Sequence, residues 1–249
     1  MKIKNLLVSQ PQPLELEKSP YGDLIKKYGV SIEFRKFFKV EGVSAREFRN
    51  DKIYLNEYTA VIFNSKNAVD NFFRIAKEVR IEIPETMKYF CISESIAYYL
   101  QKYVQFRKRK IFHGDQNLTQ LMEVIKKHKT EKFLLPCSDI HNKDLPTMLE
   151  IAKIEYREAT LYRTVSDDLD GLNIDKYDLL VFFSPQGIKS LFKNFPGFHQ
   201  GTKLIGAFGP TTSTAATEAG LTVNIVAPTN TAPSMTMAID QHLAKCNKK

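Results

Sequence analysis

Residues Tyr177 to Gly220, YDLLVFFSPQGIKSLFKNFPGFHQGTKLIGAFGPTTSTAATEAG, read as two successive strand-turn-helix units, and that reading decides the fold. Leu179 to Phe183 is an unbroken apolar run, the pattern of a strand covered on both faces. Ser184-Pro185 follows it with a side chain suited to cap a helix and a proline suited to the first helical position. Ile188, Leu191, Phe192 and Phe195 then recur at helical spacing until Pro196-Gly197 stops the pattern. The second unit has its strand at Leu204 to Phe208 and a turn at Gly209-Pro210-Thr211-Thr212. A helix of small residues from Ser213 to Ala219 follows, closed by Gly220. Both turns fall at carboxyl ends of strands and amino ends of helices. Free N–H groups and the helix dipole favour an anion there.

Working outward, the chain repeats itself. Shifting it by 119 residues brings Tyr58 onto Tyr177, Phe63 onto Phe182, Ser65 onto Ser184 and Phe73 onto Phe192. Apolar positions also match at Val61/Leu180, Ile62/Val181, Val69/Ile188 and Phe72/Leu191. A second block, Ile32-Glu33-Phe34-Arg35, matches Ile154-Glu155-Tyr156-Arg157, each preceded by an apolar strand, Leu6 to Val8 and Phe133 to Leu135. The remaining segments complete the alternation. A strand at Ile3 to Val8 leads to a helix from Leu14 to Tyr28, then an extended stretch from Ser31 to Val40. Strands are expected at Ala60 to Phe63, Tyr89 to Ile92, Val104 to Phe112 and Thr222 to Val226. Helices are expected at Glu94 to Lys102, Leu118 to Lys127 and Pro233 to Ala244. Strand and helix alternating through two similar halves is the signature of an α/β protein with two doubly wound parallel sheets.

The totals narrow the class of protein. With 249 residues the chain is long enough for two domains, and 43% hydrophobic with 26% charged residues is an ordinary globular balance. No apolar run reaches the ~20 residues of a membrane span. The amino terminus, MKIKNLLVSQPQP, has too short an apolar core for a signal peptide, so a cytoplasmic protein is expected. Cys91, Cys137 and Cys246 lie far apart, and neither C-x-x-C nor a histidine pair at ligand spacing occurs, so no structural metal is expected. A formal charge of +8 points to an anionic partner. The basic runs Arg107 to Lys110, Lys126 to Lys129 and Lys248-Lys249 read as solvated faces and a tail. No nucleic-acid motif accompanies them.

With both halves laid out, the chain resembles the uroporphyrinogen-III synthase family over essentially its whole length. The most specific segments are F-F-S-P-Q-G at Phe182 to Gly187, G-P-T-T at Gly209 to Thr212 and L-Y-R-T at Leu161 to Thr164. N-S-K-N-A at Asn64 to Ala68, L-L-P at Leu134 to Pro136 and A-P-T-N at Ala227 to Asn230 support them. One departure is Ser93-Glu94-Ser95-Ile96-Ala97, where many members have G-E-x-T-A. The resemblance implies that the amino-terminal strand and helix pack with the carboxyl-terminal part. Residues 1–36 and 164–249 would then form one domain and 42–158 the other, joined by extended linkers at 37–41 and 159–163, with the active site in a cleft between them.

The resemblance also implies the chemistry. The substrate would be hydroxymethylbilane, a linear tetrapyrrole with eight carboxylates, closed with inversion of its last ring and loss of water to give uroporphyrinogen III. No cofactor is implied, and a monomer is. Because the bilane closes unaided to the uninverted isomer, catalysis is largely a matter of holding one folded conformation and helping one hydroxyl leave. Tyr162 of L-Y-R-T would be the catalytic acid, its phenol protonated at neutral pH. Ser65, Ser184, Pro185, Gly187, Gly209, Thr211 and Thr212 would bind substrate at helix amino ends, where capping is the alternative role of each hydroxyl. Cys137, just past a strand, has only His141 near it in sequence and reads as an incidental thiol rather than a nucleophile. Glu94, in the first turn of a helix, reads as dipole compensation. The rival from another class is a non-catalytic two-lobed binding protein for a small carboxylated or phosphorylated ligand.

Overall fold

In a computed structural model, residues 3–105, 107–115 and 117–246 are described. The strands in chain order are β1 (Asn5–Val8), β2 (Ser31–Phe34), β3 (Phe38–Gly42), β4 (Ala60–Phe63), β5 (Lys88–Cys91) and β6 (Ile111–His113). They continue with β7 (Phe133–Ser138), β8 (Tyr156–Ser166), β9 (Leu179–Phe182), β10 (Leu204–Phe208) and β11 (Ile225–Ala227). The helices are α1 (Pro20–Tyr28), α2 (Ala45–Asn50), α3 (Lys66–Glu78), α4 (Glu94–Leu100) and α5 (Leu118–Lys126). After them come α6 (Asp144–Ile151), α7 (Pro185–Asn194), α8 (Pro210–Glu218) and α9 (Met235–Cys246).

The chain divides into two compact units, Met1–Lys39 with Val165–Lys249, and Val40–Thr164. The first carries a sheet in the order β11-β10-β9-β1-β2, with every neighbouring pair parallel. The second carries the order β3-β8-β7-β4-β5-β6, parallel from β8 through β6. The internal repeat is visible in these orders. Strands β4, β5 and β6 take the places of β9, β10 and β11, and β7 and β8 take those of β1 and β2. The chain enters the second unit through β3 and leaves it through β8, which lie side by side at the edge of that sheet.

Each sheet is buried on both faces because each face meets its own helices. In the first unit Leu24 of α1 and Ile239 and Leu243 of α9 cover one face, and Ile188 and Leu191 of α7 with Ala216 of α8 cover the other. In the second, Phe72 and Ile75 of α3 and Leu100 of α4 oppose Leu121 and Ile125 of α5 and Leu149 of α6 across the sheet. That is why β4 and β9, AVIF and LLVF, are apolar at every position and no more than 1% exposed. Each Val, Leu, Ile or Phe among them contributes about 1.5–3 kcal/mol on burial.

Several expected boundaries move, each for a local reason. The helix expected from Leu14 begins only at Pro20. Ser19 is extended (ψ 159°) and its hydroxyl caps Gly22, since the residue before a proline avoids helical geometry; Leu16–Lys18 is a separate 3-10 turn. The strand expected over Val104 to Phe112 is confined to Ile111–His113, and Phe106 lies outside the described residues. Helix α8 starts at Pro210, three residues earlier than expected, so Thr211 and Thr212 belong to its first turn. The strand expected at Thr222 to Val226 is Ile225–Ala227. No helix among the described residues is long and apolar enough to cross a membrane. The Lys248-Lys249 tail lies outside the described residues.

Candidate active site

In each unit the sheet has one point where the connections part. β1 leads through α1 to one side and β9 through α7 to the other. In the second unit β7 and β4 diverge in the same way through α6 and α3. Ligands of open parallel sheets bind outside the carboxyl ends of strands at such points. Ser184 lies just past β9 and Ser65 just past β4, so the serine pair of the sequence repeat sits at both. The two residues share one geometry. Both are extended, at φ −158° and −156°, and both accept the N–H three residues on, Gly187 at 3.3 Å and Ala68 at 3.1 Å. Each is a side-chain helix cap, worth about 1 kcal/mol.

In the second unit the structure adds a partner. The Tyr162 hydroxyl lies 3.0 Å from the Ser65 hydroxyl, and Tyr162 is 7% exposed. An inward tyrosine follows from an irregularity in β8. The register pairs Cys137 with Thr160 and then Ser138 with Tyr162, passing over Leu161, so a bulge interrupts the alternation. Leu161 and Tyr162 are consequently both buried. The bulged carbonyl of Leu161 is not orphaned, because it accepts from Val43 N–H at 2.9 Å and from Arg74 Nη2 at 3.2 Å. Burial holds the Tyr162 phenol above its ordinary value; the Ser65 hydrogen bond opposes that shift and the nearby Cys137 thiol adds to it. The phenol is therefore a proton donor throughout the neutral range. Ser65 accepts from Ala68 N–H, and either hydroxyl of the Ser65–Tyr162 pair can donate; when Ser65 donates, the Tyr162 proton is left for a further acceptor.

In the first unit, Ser9 at the end of β1 joins Ser184 and Gly187. A Cβ on Gly187 would sit 3.2 Å from Phe182 and 3.5 Å from Ser9 Oγ, so this turn of α7 is packed tightly against both strand ends. Gly187 N–H is already engaged by Ser184. Helix α8 differs. Its N-cap is Gly209 at φ 85°, which has no side chain to cap with, and Pro210 has no N–H. The N–H groups of Thr211 and Thr212 are the donors left over at that helix end. Thr211 is exposed, whereas the Thr212 side chain is 1% exposed. Pro185 and Lys189 of α7 face Pro210, Thr211, Thr214, Ala215 and Glu218 of α8 across a groove of about 400 Å³.

Sequence reasoning passed over Ser9 and Arg74, and named Asn64 only as part of a motif. Asn64 Oδ1 and His113 Nδ1 are buried without a partner among the described residues, at the carboxyl ends of β4 and β6. Ser93 does not cap α4 and instead meets Ser95 at 3.0 Å, so the departing S-E-S turn keeps its hydroxyls to itself. The thiol of Cys137 is fully buried and pushed up to about 11 by that burial. His141 has Nδ1 on Ser138 O at 2.8 Å and Nε2 facing Glu158 at 3.1 Å, while the thiol lies 3.6 Å from Ala159 O, so neither ring nitrogen is hydrogen-bonded to the thiol. Among the described residues, Cys137, His141 and Glu158 are the group able to hold a metal ion.

The comparisons with known proteins agree in direction. A family model described as uroporphyrinogen-III synthase HemD matches residues 19–237. None of the curated protein sequences matches. Among solved structures, uroporphyrinogen-III synthetase from Helicobacter pylori is 16% identical with a TM-score of 0.59, covering 98% of this chain and 100% of that one. A mutant uroporphyrinogen III synthase from Thermus thermophilus is 15% identical with a TM-score of 0.50, covering 99% and 100%. At such identities these likenesses are of fold.

Proposed function

The chain belongs to the uroporphyrinogen-III synthase family, and we propose that its reaction is carried by Tyr162, supported by Ser65, with helix amino ends holding the substrate. The family's enzymes are cyclising hydro-lyases of tetrapyrrole (haem) biosynthesis, which close hydroxymethylbilane with inversion of ring D. A purely receptor-like role is not favoured, because the family match runs through both halves of the chain. The single observation that carries the assignment is the contact between Tyr162 and Ser65 at the point where β4 and β7 part company.

The division of labour follows from the chemistry. Loss of the bilane's terminal hydroxyl as water leaves an electrophilic azafulvene, and a phenol hydrogen-bonded to that oxygen lowers the barrier to its departure. Donation from Ser65 to the phenol oxygen stabilises the charge left behind. Attack by the substituted α-carbon of the last pyrrole gives a spiro intermediate, which fragments and recloses inverted. The substrate's carboxylates are met by the Thr211 and Thr212 N–H groups, the Ser184, Thr211 and Thr212 hydroxyls, and the amino ends of α3, α7 and α8. Pro185 and Gly209 shape these turns, and Gly187 allows α7 to approach the strand ends. Water is the only group lost, so the scheme needs no cofactor.

The same reading takes the protein as a cytoplasmic monomer acting on a small polycarboxylate rather than on nucleic acid or membranes. Its +8 charge then serves as a background field for a polyanion. Tyr162→Phe tests the assignment: turnover of freshly generated hydroxymethylbilane should fall about tenfold or more. Unchanged turnover in a folded variant removes Tyr162 from the mechanism.

A further inference from the structure

We propose that Cys137, His141 and Glu158 form a binding site for a borderline divalent cation of the zinc type, independent of the catalytic reading. One ligand atom from each lies within 4.8 Å of the others. Cys137 comes from the end of β7, His141 from the bend before α6, and Glu158 from β8, where it pairs with Leu135, two residues before Cys137. Thiolate, imidazole and carboxylate is a donor set that suits zinc, and three protein ligands leave the fourth position to water. Zn–S near 2.3 Å and Zn–N near 2.0 Å put ligand atoms roughly 3–4 Å apart, so modest side-chain rotation completes the set.

Two further observations point to a cation here. A carbonyl can only accept, so the His141 Nδ1 that lies 2.8 Å from Ser138 O carries the proton. Nε2, the other ring nitrogen, is turned toward Glu158 Oε1 at 3.1 Å. A histidine whose far nitrogen is fixed on a backbone carbonyl is in the arrangement that metal ligands adopt. Secondly, positive charge already sits against this pair, on Lys143. Its Nζ lies 3.1 Å from His141 Nε2 and 3.0 and 2.8 Å from the Glu158 oxygens. The Lys143 side chain is 61% exposed, so a metal ion can displace it into solvent at little cost. Entry is open, since the His141 and Glu158 side chains are 10% and 30% exposed while Cys137 forms the buried floor.

Cobalt(II) added to chelator-treated full-length protein tests the site, because a thiolate ligand produces a near-ultraviolet charge-transfer band that oxygen and nitrogen ligands do not. One equivalent per chain should bind with that band. Cys137→Ser should abolish it, and His141→Ala or Glu158→Gln should weaken binding by roughly tenfold or more. Lys143→Met, which leaves every ligand in place, should tighten binding roughly two- to fivefold, because the competing ammonium is gone. Circular dichroism confirms folding of each variant. A missing thiolate band in the unaltered protein overturns the proposal. So does a band that survives Cys137→Ser, or Lys143→Met binding no tighter than the parent.

Discussion

The hydroxyls of Tyr162 and Ser65 meet at 3.0 Å although 97 residues separate them in the chain. Ser65 thereby has two roles. Its oxygen caps α3 through Ala68 N–H, and its proton is available to the phenol. Ser65→Ala removes both. The variant should lose about 1 kcal/mol of stability through the cap, read as a lower urea midpoint, and should also turn over substrate several-fold more slowly. Ser184→Ala removes the equivalent cap of α7 and should show the same stability loss. A Ser65→Ala enzyme with parental turnover would separate the contact from catalysis.

Burial raises the Tyr162 phenol above its ordinary value, which is about 10. A raised acid keeps its proton at every lower pH, so Tyr162 cannot cause a fall in turnover between about pH 7 and 9. The Tyr162→Phe profile should lie lower over this range with the same shape. A decline in the parent enzyme over that range that vanishes in Tyr162→Phe would contradict the protonated-phenol assignment.

Arg74 holds the bulge that turns Tyr162 inward. Its Nη2 donates to Val43 O at 2.8 Å and to Leu161 O at 3.2 Å, while Nη1 pairs with Glu78 at 2.7 Å. Arg74→Ala leaves those carbonyls short of a donor and should cost about 1–3 kcal/mol in urea unfolding. It should also lower turnover, because the bulge loses a clamp. Arg74→Lys should rescue little, since an ammonium cannot reproduce the fork. Full activity in Arg74→Ala would show that the bulge does not need this support.

Gly209 adopts φ 85°, a region that side chains with a Cβ resist. Gly209→Ala should destabilise the protein by about 1–3 kcal/mol, measured by thermal or urea unfolding. It should also raise KM more than it lowers kcat, because in the proposed function the N–H groups of α8 bind substrate without taking part in bond changes. A drop confined to kcat would argue against a binding role for this turn.

The fold class was readable in the sequence because parallel strands covered on both faces leave an unmistakable mark. AVIF at β4, LLVF at β9 and LIGAF at β10 are apolar throughout, and serine or glycine followed by a helix start punctuates each. The repeat spacing then implied two sheets of one design, and the strand orders show it. What could not be read is what depends on partners distant in sequence. The bulge at Leu161 is set by the register against β7 and by donors from Val43 and Arg74, none of them local. The approach of Glu158 to Cys137 and His141 is likewise a property of neighbouring strands, so ligand spacing along the chain was silent about it. Local errors had local causes. Ser19-Pro20 breaks a helix whose apolar pattern runs through it, and alternation around Val104 to Phe112 suggested more strand than the three residues found.

The isomer made from hydroxymethylbilane tests the enzyme's identity most directly. Supplied with freshly generated bilane, the purified protein should yield, after oxidation and chromatographic separation, predominantly the type III uroporphyrin, well above the type I product of unaided closure. Type I alone, at the rate seen without protein, would contradict it.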